Sequence, residues 1–222
     1  MHSILMAALA ASLTLAPLGA QSPESVVDHA VAVYAKVHTE RATFTQTITN
    51  PITGTTLTSH GEMQQRKPGL VDVRFTDPAG DRIVSDGKYL WIYLPSTNPG
   101  QVIRTAPAKD GAGTPDIAAQ FLDSPKTRYT ISDAGSATIA GHETHAVVLV
   151  PKEPMSFTKA TVWVDDDDGF VRQFETVEEN GVTRLVTLNT ISINGPTDRS
   201  AFSFKVPKGV HVYDRATGDS GT

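Results

Sequence analysis

The chain has 222 residues, of which 39% are hydrophobic and 19% charged, with a net charge of −5 and no cysteine. This composition suits a globular protein and is unlike disordered or collagen-like chains. The acidic balance argues against a grip on nucleic acid, which needs a basic face. The missing cysteine excludes disulfides, thiol catalysis, thiolate metal sites and the acylated cysteine of a lipoprotein anchor.

Residues 4–18 are almost continuously apolar or small, interrupted by Ser12, Thr14 and Pro17. Such a run is short for a membrane span and fits the core of a signal peptide. Small residues before Gln21 place cleavage after Ala20, so the expected division is a signal peptide at 1–20 and one exported domain at 21–222.

Ser22-Pro23-Glu24 combines a cap, a first-turn proline and a dipole-matching acid, and so opens a helix. Val27, Ala30, Val31, Tyr34 and Val37 give it one apolar stripe, fading near His38-Thr39. The period then switches to two. Phe44, Gln46 and Ile48 alternate with threonines, and Asn50-Pro51 with Gly54 turns the chain into a strand from Leu57 to Gln65. Val71, Val73 and Phe75 form the next strand, and Asp77-Pro78-Ala79-Gly80 turns it into Arg82–Ser85. Asp86-Gly87 is a hairpin signal. Tyr89 to Leu94 then carries an aromatic face (Tyr89, Trp91, Tyr93) and an aliphatic face (Leu90, Ile92, Leu94), so both sides are covered or one lines an apolar space.

Residues 95–113 read as a long loop with one extended piece at Gln101–Arg104. Thr114-Pro115-Asp116 starts a second short helix, with Ile117, Ala118, Phe121 and Leu122 paired at i,i+4. The remainder alternates as strands at 127–132, 137–139, 143–150, 160–165, 170–178, 183–193 and 202–206, and 213–222 reads as a flexible tail. The expected fold is mainly β: one antiparallel sheet of roughly ten strands, curled into an unclosed barrel with a few helices as a lid over its apolar concave face.

Catalytic motifs are weak. His142 and His145 straddle a glycine turn, and the Asp165–Asp168 run lacks the closing glutamate of a calcium loop. No Gly-x-Ser-x-Gly elbow or phosphate-binding glycine pattern is present. No catalytic residue, metal or cofactor is assigned. Arg66-Lys67-Pro68-Gly69, between two strands, is either a solvated turn or a cation placed to bond the exposed carbonyls of a helix C-terminus.

Several ordered segments resemble the periplasmic lipoprotein carrier proteins of the LolA family: Ala42-Thr43-Phe44-Thr45-Gln46, Gly61-Glu62-Met63 through Arg66-Lys67-Pro68, Ile83 through Tyr93 with its Ser-Asp-Gly turn, Gln173-Phe174, and Phe202-Ser203-Phe204 through Val212. The resemblance implies a monomeric periplasmic chaperone, not an enzyme. Such a protein takes acylated lipoproteins from an inner-membrane ABC transporter to an outer-membrane receptor, without cofactor or nucleic acid. It implies an acyl cavity, for which Phe44, Val73, Phe75, Leu90, Trp91, Tyr93, Ile117, Phe121, Trp163 and Phe174 are the lining candidates. It also implies a lid latch. The family places an arginine directly before the proline, where this chain has Lys67 preceded by Arg66, and the latch partner is expected around Ile117–Leu122. A lipid- or lipoprotein-sensing regulatory module on the same fold, and an exported hydrolase using the His142 region, are the alternatives.

Overall fold

A computed structural model describes residues 21–106, 116 and 118–215. The expected signal peptide, the start of the second helix at Thr114-Pro115, the lining candidate Ile117 and the tail beyond Arg215 lie outside the described residues.

Helix α1 spans Pro23–Tyr34. The Ser22 side chain accepts a hydrogen bond from the Ser25 N–H at 3.2 Å, and Pro23 occupies the first turn, where a missing N–H costs nothing. Val26, Val27, Ala30 and Tyr34 form its buried stripe. Its last turn contains no basic residue.

The strands follow as β1 (Thr39–Asn50), β2 (Thr55–Arg66), β3 (Leu70–Asp77), β4 (Ala79–Asp86), β5 (Leu90–Tyr93) and β6 (Gln101–Thr105). A π-helical turn at Ala118–Leu122 and the short α2 (Pro125–Arg128) precede β7 (Tyr129–Ile139), β8 (His142–Pro151), β9 (Lys159–Asp165), β10 (Val171–Val177) and β11 (Thr183–Ile193). A 3-10 turn at Arg199–Phe202 leads to β12 (His211–Arg215). All 12 strands form one sheet in the order β12-β6-β5-β4-β3-β2-β1-β11-β10-β9-β8-β7. Two antiparallel meanders are thus joined where β11 returns to pair with β1. The sheet does not close, because β7 and β12 each keep one unpaired edge.

Cross-strand partners share a face, so the register sorts the side chains. One face carries Phe44, Met63, Val73, Val162, Phe174, Val186 and Leu188 from six strands, and α1 and the π-helical turn pack with them into the core. This is the concave face. The opposite face of β3–β6 carries Asp72, Val84, Trp91 and Arg104 in register. The segment after the 3-10 turn covers it, with Phe204 stacked on Trp91 at 5.5 Å and tilted against Tyr93 at 5.9 Å. Arg82 bridges this layer: it binds Asp72 at 2.6 Å and donates to the Ala201 carbonyl at 2.7 Å.

Four readings are corrected. The stretch 202–206 is not a strand, because Phe202 and Phe204 turn inward to cover the convex face of the sheet. Tyr213–Arg215, read as tail, belong to β12, which pairs parallel to β6. The Arg104 guanidinium clamps the Asp214 carboxylate through two bonds of 2.6 and 2.7 Å. The pieces 127–132 and 137–139 are one strand from Tyr129, and Asp133-Ala134-Gly135 is a bulge in it rather than a turn. The second helix is a π-helical turn followed by α2.

Asp-Gly and Asn-Gly turns behave as their chemistry dictates. At Asp86-Gly87 the aspartate Oδ1 accepts from the N–H groups of Lys88 and Tyr89, Oδ2 accepts from the Trp91 indole at 2.8 Å, and Gly87 adopts a φ of +88°.

Candidate functional site

The concave face encloses a cavity of about 300 Å³, at the lower end of the ~300–1,000 Å³ usual for ligand sites. Its floor is apolar. Phe44 (β1), Met63 (β2), Val73 and Phe75 (β3), Ile83 (β4), Phe174 (β10), Val186 and Leu188 (β11) line it. Phe44 and Phe75 meet edge to face at 5.5 Å. Gly61 makes room for this pair. A side chain there would meet the Arg74 carbonyl at 2.5 Å and the tip of the Phe44 ring at 2.6 Å, so only a glycine lets the ring lie across β2.

The lid closes the opposite side. Phe121, in the π-helical turn, is fully buried, with ring centroids 5.2 Å from Phe174 and 5.9 Å from Phe157. Phe157 stacks on Tyr129, whose hydroxyl donates to the Gln120 carbonyl at 2.6 Å. The lid segment is therefore held by three aromatic rings and one anchored carbonyl. α1 packs against the same segment.

Lys67 joins the C-terminus of α1 to the β2–β3 turn. Its ammonium donates to the Tyr34 carbonyl at 2.5 Å, at the C-terminus of α1, and its N–H donates to the His38 carbonyl at 2.9 Å. The helix supplies no cation to its own last turn, so the β2–β3 turn supplies one. Lys67 makes this bond, while the Arg66 side chain is exposed. A helix C-terminal carbonyl is one of the two readings the sequence offers for this turn, and the family resemblance places the partner around Ile117–Leu122. Asp116, Leu122 and Asp123 line the same surface depression as Lys67, but the hydrogen bond runs to α1.

Near the Lys67 contact lies a buried polar pair. Gln65 donates to Glu40 Oε2 at 2.8 Å, and both side chains are buried. Among the described residues, Glu40 Oε1 and Gln65 Oε1 are buried without a hydrogen-bond partner. Burial, and then the negative charge of Asp116, pushes the Glu40 carboxyl up to about 7, against the pull of Lys67 and the Gln65 bond. Burial and the Glu40 charge likewise raise the Tyr34 phenol well above its ordinary value.

Of the predicted lining residues, the structure brings Phe44, Val73, Phe75 and Phe174 to the cavity wall, while Phe121 packs behind the wall residues Phe157 and Phe174 and does not line the cavity itself. Leu90 is buried on the concave face, in register with Ser85, but outside the cavity lining. Trp91 and Tyr93 face the other way, into the layer covered by Phe204. Trp163 also points away, because Val162 and Val164 on either side of it fill the core. Sequence reasoning missed Met63, Ile83, Val186 and Leu188, and the polar wall residues Gln46, Thr176 and Arg184. The register of the Asn180-Gly181 hairpin carries the signal for Val186, which it places beside Phe174.

The histidines serve structure. His142 pairs with Asp165 at 2.7 Å and His145 with Asp133 at 2.6 Å, on separate carboxylates. Asp165 also accepts from the Asp167 and Asp168 N–H groups and from Arg172, so the acidic run is a self-satisfied turn. Among the described residues no cluster of three or more potential ligands is placed to hold a metal ion, and no helix is long and apolar enough to cross a membrane.

Comparison with known proteins agrees with this architecture. A structure from Thermus thermophilus, described as an uncharacterized conserved protein, superposes with a TM-score of 0.55 at 14% identity, over 88% of this chain and all of that one. The outer-membrane lipoprotein carrier protein of Haemophilus influenzae strain KW20 is 31% identical over 183 residues, 82% of this chain and 83% of its own. That of Serratia proteamaculans is 29% identical over 181 residues, 82% of this chain and 84% of its own. The family profile for the outer membrane lipoprotein carrier protein LolA matches residues 35–205. The chain therefore belongs to the LolA family of outer membrane lipoprotein carrier proteins.

Proposed function

We propose that the protein is a periplasmic carrier that shelters the acyl chains of lipoproteins in transit between membranes. It takes them from a releasing transporter in the inner membrane and yields them to a receptor at the outer membrane. The observation that carries this reading is the aromatic and aliphatic cavity between the sheet and the side formed by Gln120 and Phe157, in a chain of this family.

The physics matches the task. Each methylene removed from water contributes about 0.8 kcal/mol, so a protein-free acyl chain in the periplasm is costly. Chains that enter between Phe121 and Phe174 take over the apolar contacts the lid now makes with the floor, and displacing Phe121 enlarges the space. The Lys67–Tyr34 bond resists that displacement by about 1–2 kcal/mol, small enough for release to stay reversible. The role proposed is binding rather than chemistry, in line with the carrier family to which the chain belongs.

The test is release of a purified lipoprotein from inner-membrane vesicles that contain the transporter and ATP. The carrier reading predicts a soluble complex of lipoprotein and this protein. Lipoprotein that stays in the vesicles, while an established family member releases it, overturns the reading.

A further inference from the structure

The cavity has a graded wall. Phe44 and Leu188 face each other across β1 and β11, followed by Gln46 and Val186 with Phe174 beside them, and then Ile48, Arg184 and Thr176 in one row. The first of these rows is buried and Arg184 is exposed, so the polar end is the mouth. Glu178 on the sheet side and Gln120 and Ser156 on the lid side complete it.

We infer that Arg184, with Thr176 beside it, is a polar station that hydrogen-bonds the ester and amide carbonyl oxygens where acyl chains join their headgroup. The inference rests on the acyl-carrier reading and gives it a polar half. An acyl chain drawn into the cavity brings its carbonyl to the mouth, where that oxygen loses water. A desolvated acceptor without a donor is penalised, and a charged donor compensates best. Arg184 has donors to spare. Its Nη1 donates to Gln46 Oε1 at 3.2 Å, the sole side-chain hydrogen bond it makes among the described residues. Gln46 in turn donates to Ser59 Oγ at 3.2 Å, so the guanidinium is held in place from behind. Glu178 at the same mouth offsets the cationic charge, which suits neutral carbonyl oxygens better than a net anion. Desolvation by the surrounding wall lowers the Arg184 pKa and Glu178 raises it again, and the guanidinium stays charged throughout.

The experiment compares two probes of equal chain length: a dipalmitoyl-glyceryl-cysteinyl peptide, and the same peptide with ether-linked chains, which lack the carbonyls. Affinity is read by displacement of a fluorescent fatty acid. The wild-type protein is expected to prefer the ester by about tenfold, the scale of a charged hydrogen bond. Arg184→Met should abolish that preference without weakening ether binding, and Arg184→Gln, which keeps a neutral donor, should retain part of it. Equal affinities in the wild type, or equal loss on both probes in Arg184→Met, overturn the mouth station and leave the carrier reading intact. Binding of neither probe overturns both.

Discussion

The Lys67 ammonium sits 2.5 Å from the Tyr34 carbonyl and ties the β2–β3 turn to the open end of α1. A helix terminus that lacks its own cation is thereby satisfied from another part of the chain. Because α1 packs on the lid segment, the bond reaches the cavity roof. Lys67→Met should destabilise the protein by about 1–2 kcal/mol in urea unfolding. It should also speed amide exchange at α1 and at residues 118–122. Lys67→Arg should retain the bond, and exchange there should stay at the wild-type rate.

Glu40 gives the latch region a pH dependence. Its folded pKa of about 7 lies above the ordinary 4.5. A carboxyl that holds its proton more tightly when folded stabilises the fold fully below the unfolded pKa, and that contribution is lost as pH rises through the folded one. Unfolding at pH 5 and pH 8 should therefore differ by up to about 3 kcal/mol more in the wild type than in Glu40→Gln. The amide of Glu40→Gln can also donate to the unpartnered Gln65 Oε1, so this variant should be the more stable one at pH 8.

Gly61 sets the position of the cavity floor. Gly61→Ala drives a methyl into the Arg74 carbonyl and the Phe44 ring, and the ring can only move into the cavity. The expected cost is about 1–3 kcal/mol, with weaker uptake of a fluorescent fatty acid.

The two faces of the sheet predict opposite phenotypes. Phe174→Glu places a charge in the cavity wall and should abolish fatty-acid uptake. Trp91→Phe loosens the contact with Phe204, so it should lower the melting temperature and leave uptake unchanged. Both tryptophans, Trp91 and Trp163, face away from the cavity, so its filling should leave intrinsic tryptophan emission nearly constant.

Much of this fold was legible because its signals are local. Asp86-Gly87 and Asn180-Gly181 mark hairpins through the backbone freedom they need, and the alternation around Phe44 marks β1. Pairing between distant segments was not legible. β12 pairs with β6 across a separation of 110 positions, as the Arg104–Asp214 clamp shows, and nothing in either stretch announces the other. The same ignorance hid the sidedness of β5. Leu90 on one face is buried, Trp91 and Tyr93 on the other pack against Phe204, and alternation alone does not say which is which. The basic turn at Lys67 was visible, and so was the kind of partner, an exposed carbonyl at a helix C-terminus, but not which helix, because a backbone carbonyl leaves no residue-specific trace. Arg184 and Gln46 escaped notice because a search for an acyl site looks for apolar residues.

The most direct test of the account is photo-crosslinking of an acylated lipoprotein to benzoylphenylalanine placed at position 75, on the cavity wall, and at position 163, on the opposite face. Adducts carrying the acyl chains should form at position 75 and not at 163. Crosslinks at 163, or none at 75 in a protein that still releases the lipoprotein from membranes, would contradict this cavity as the acyl site.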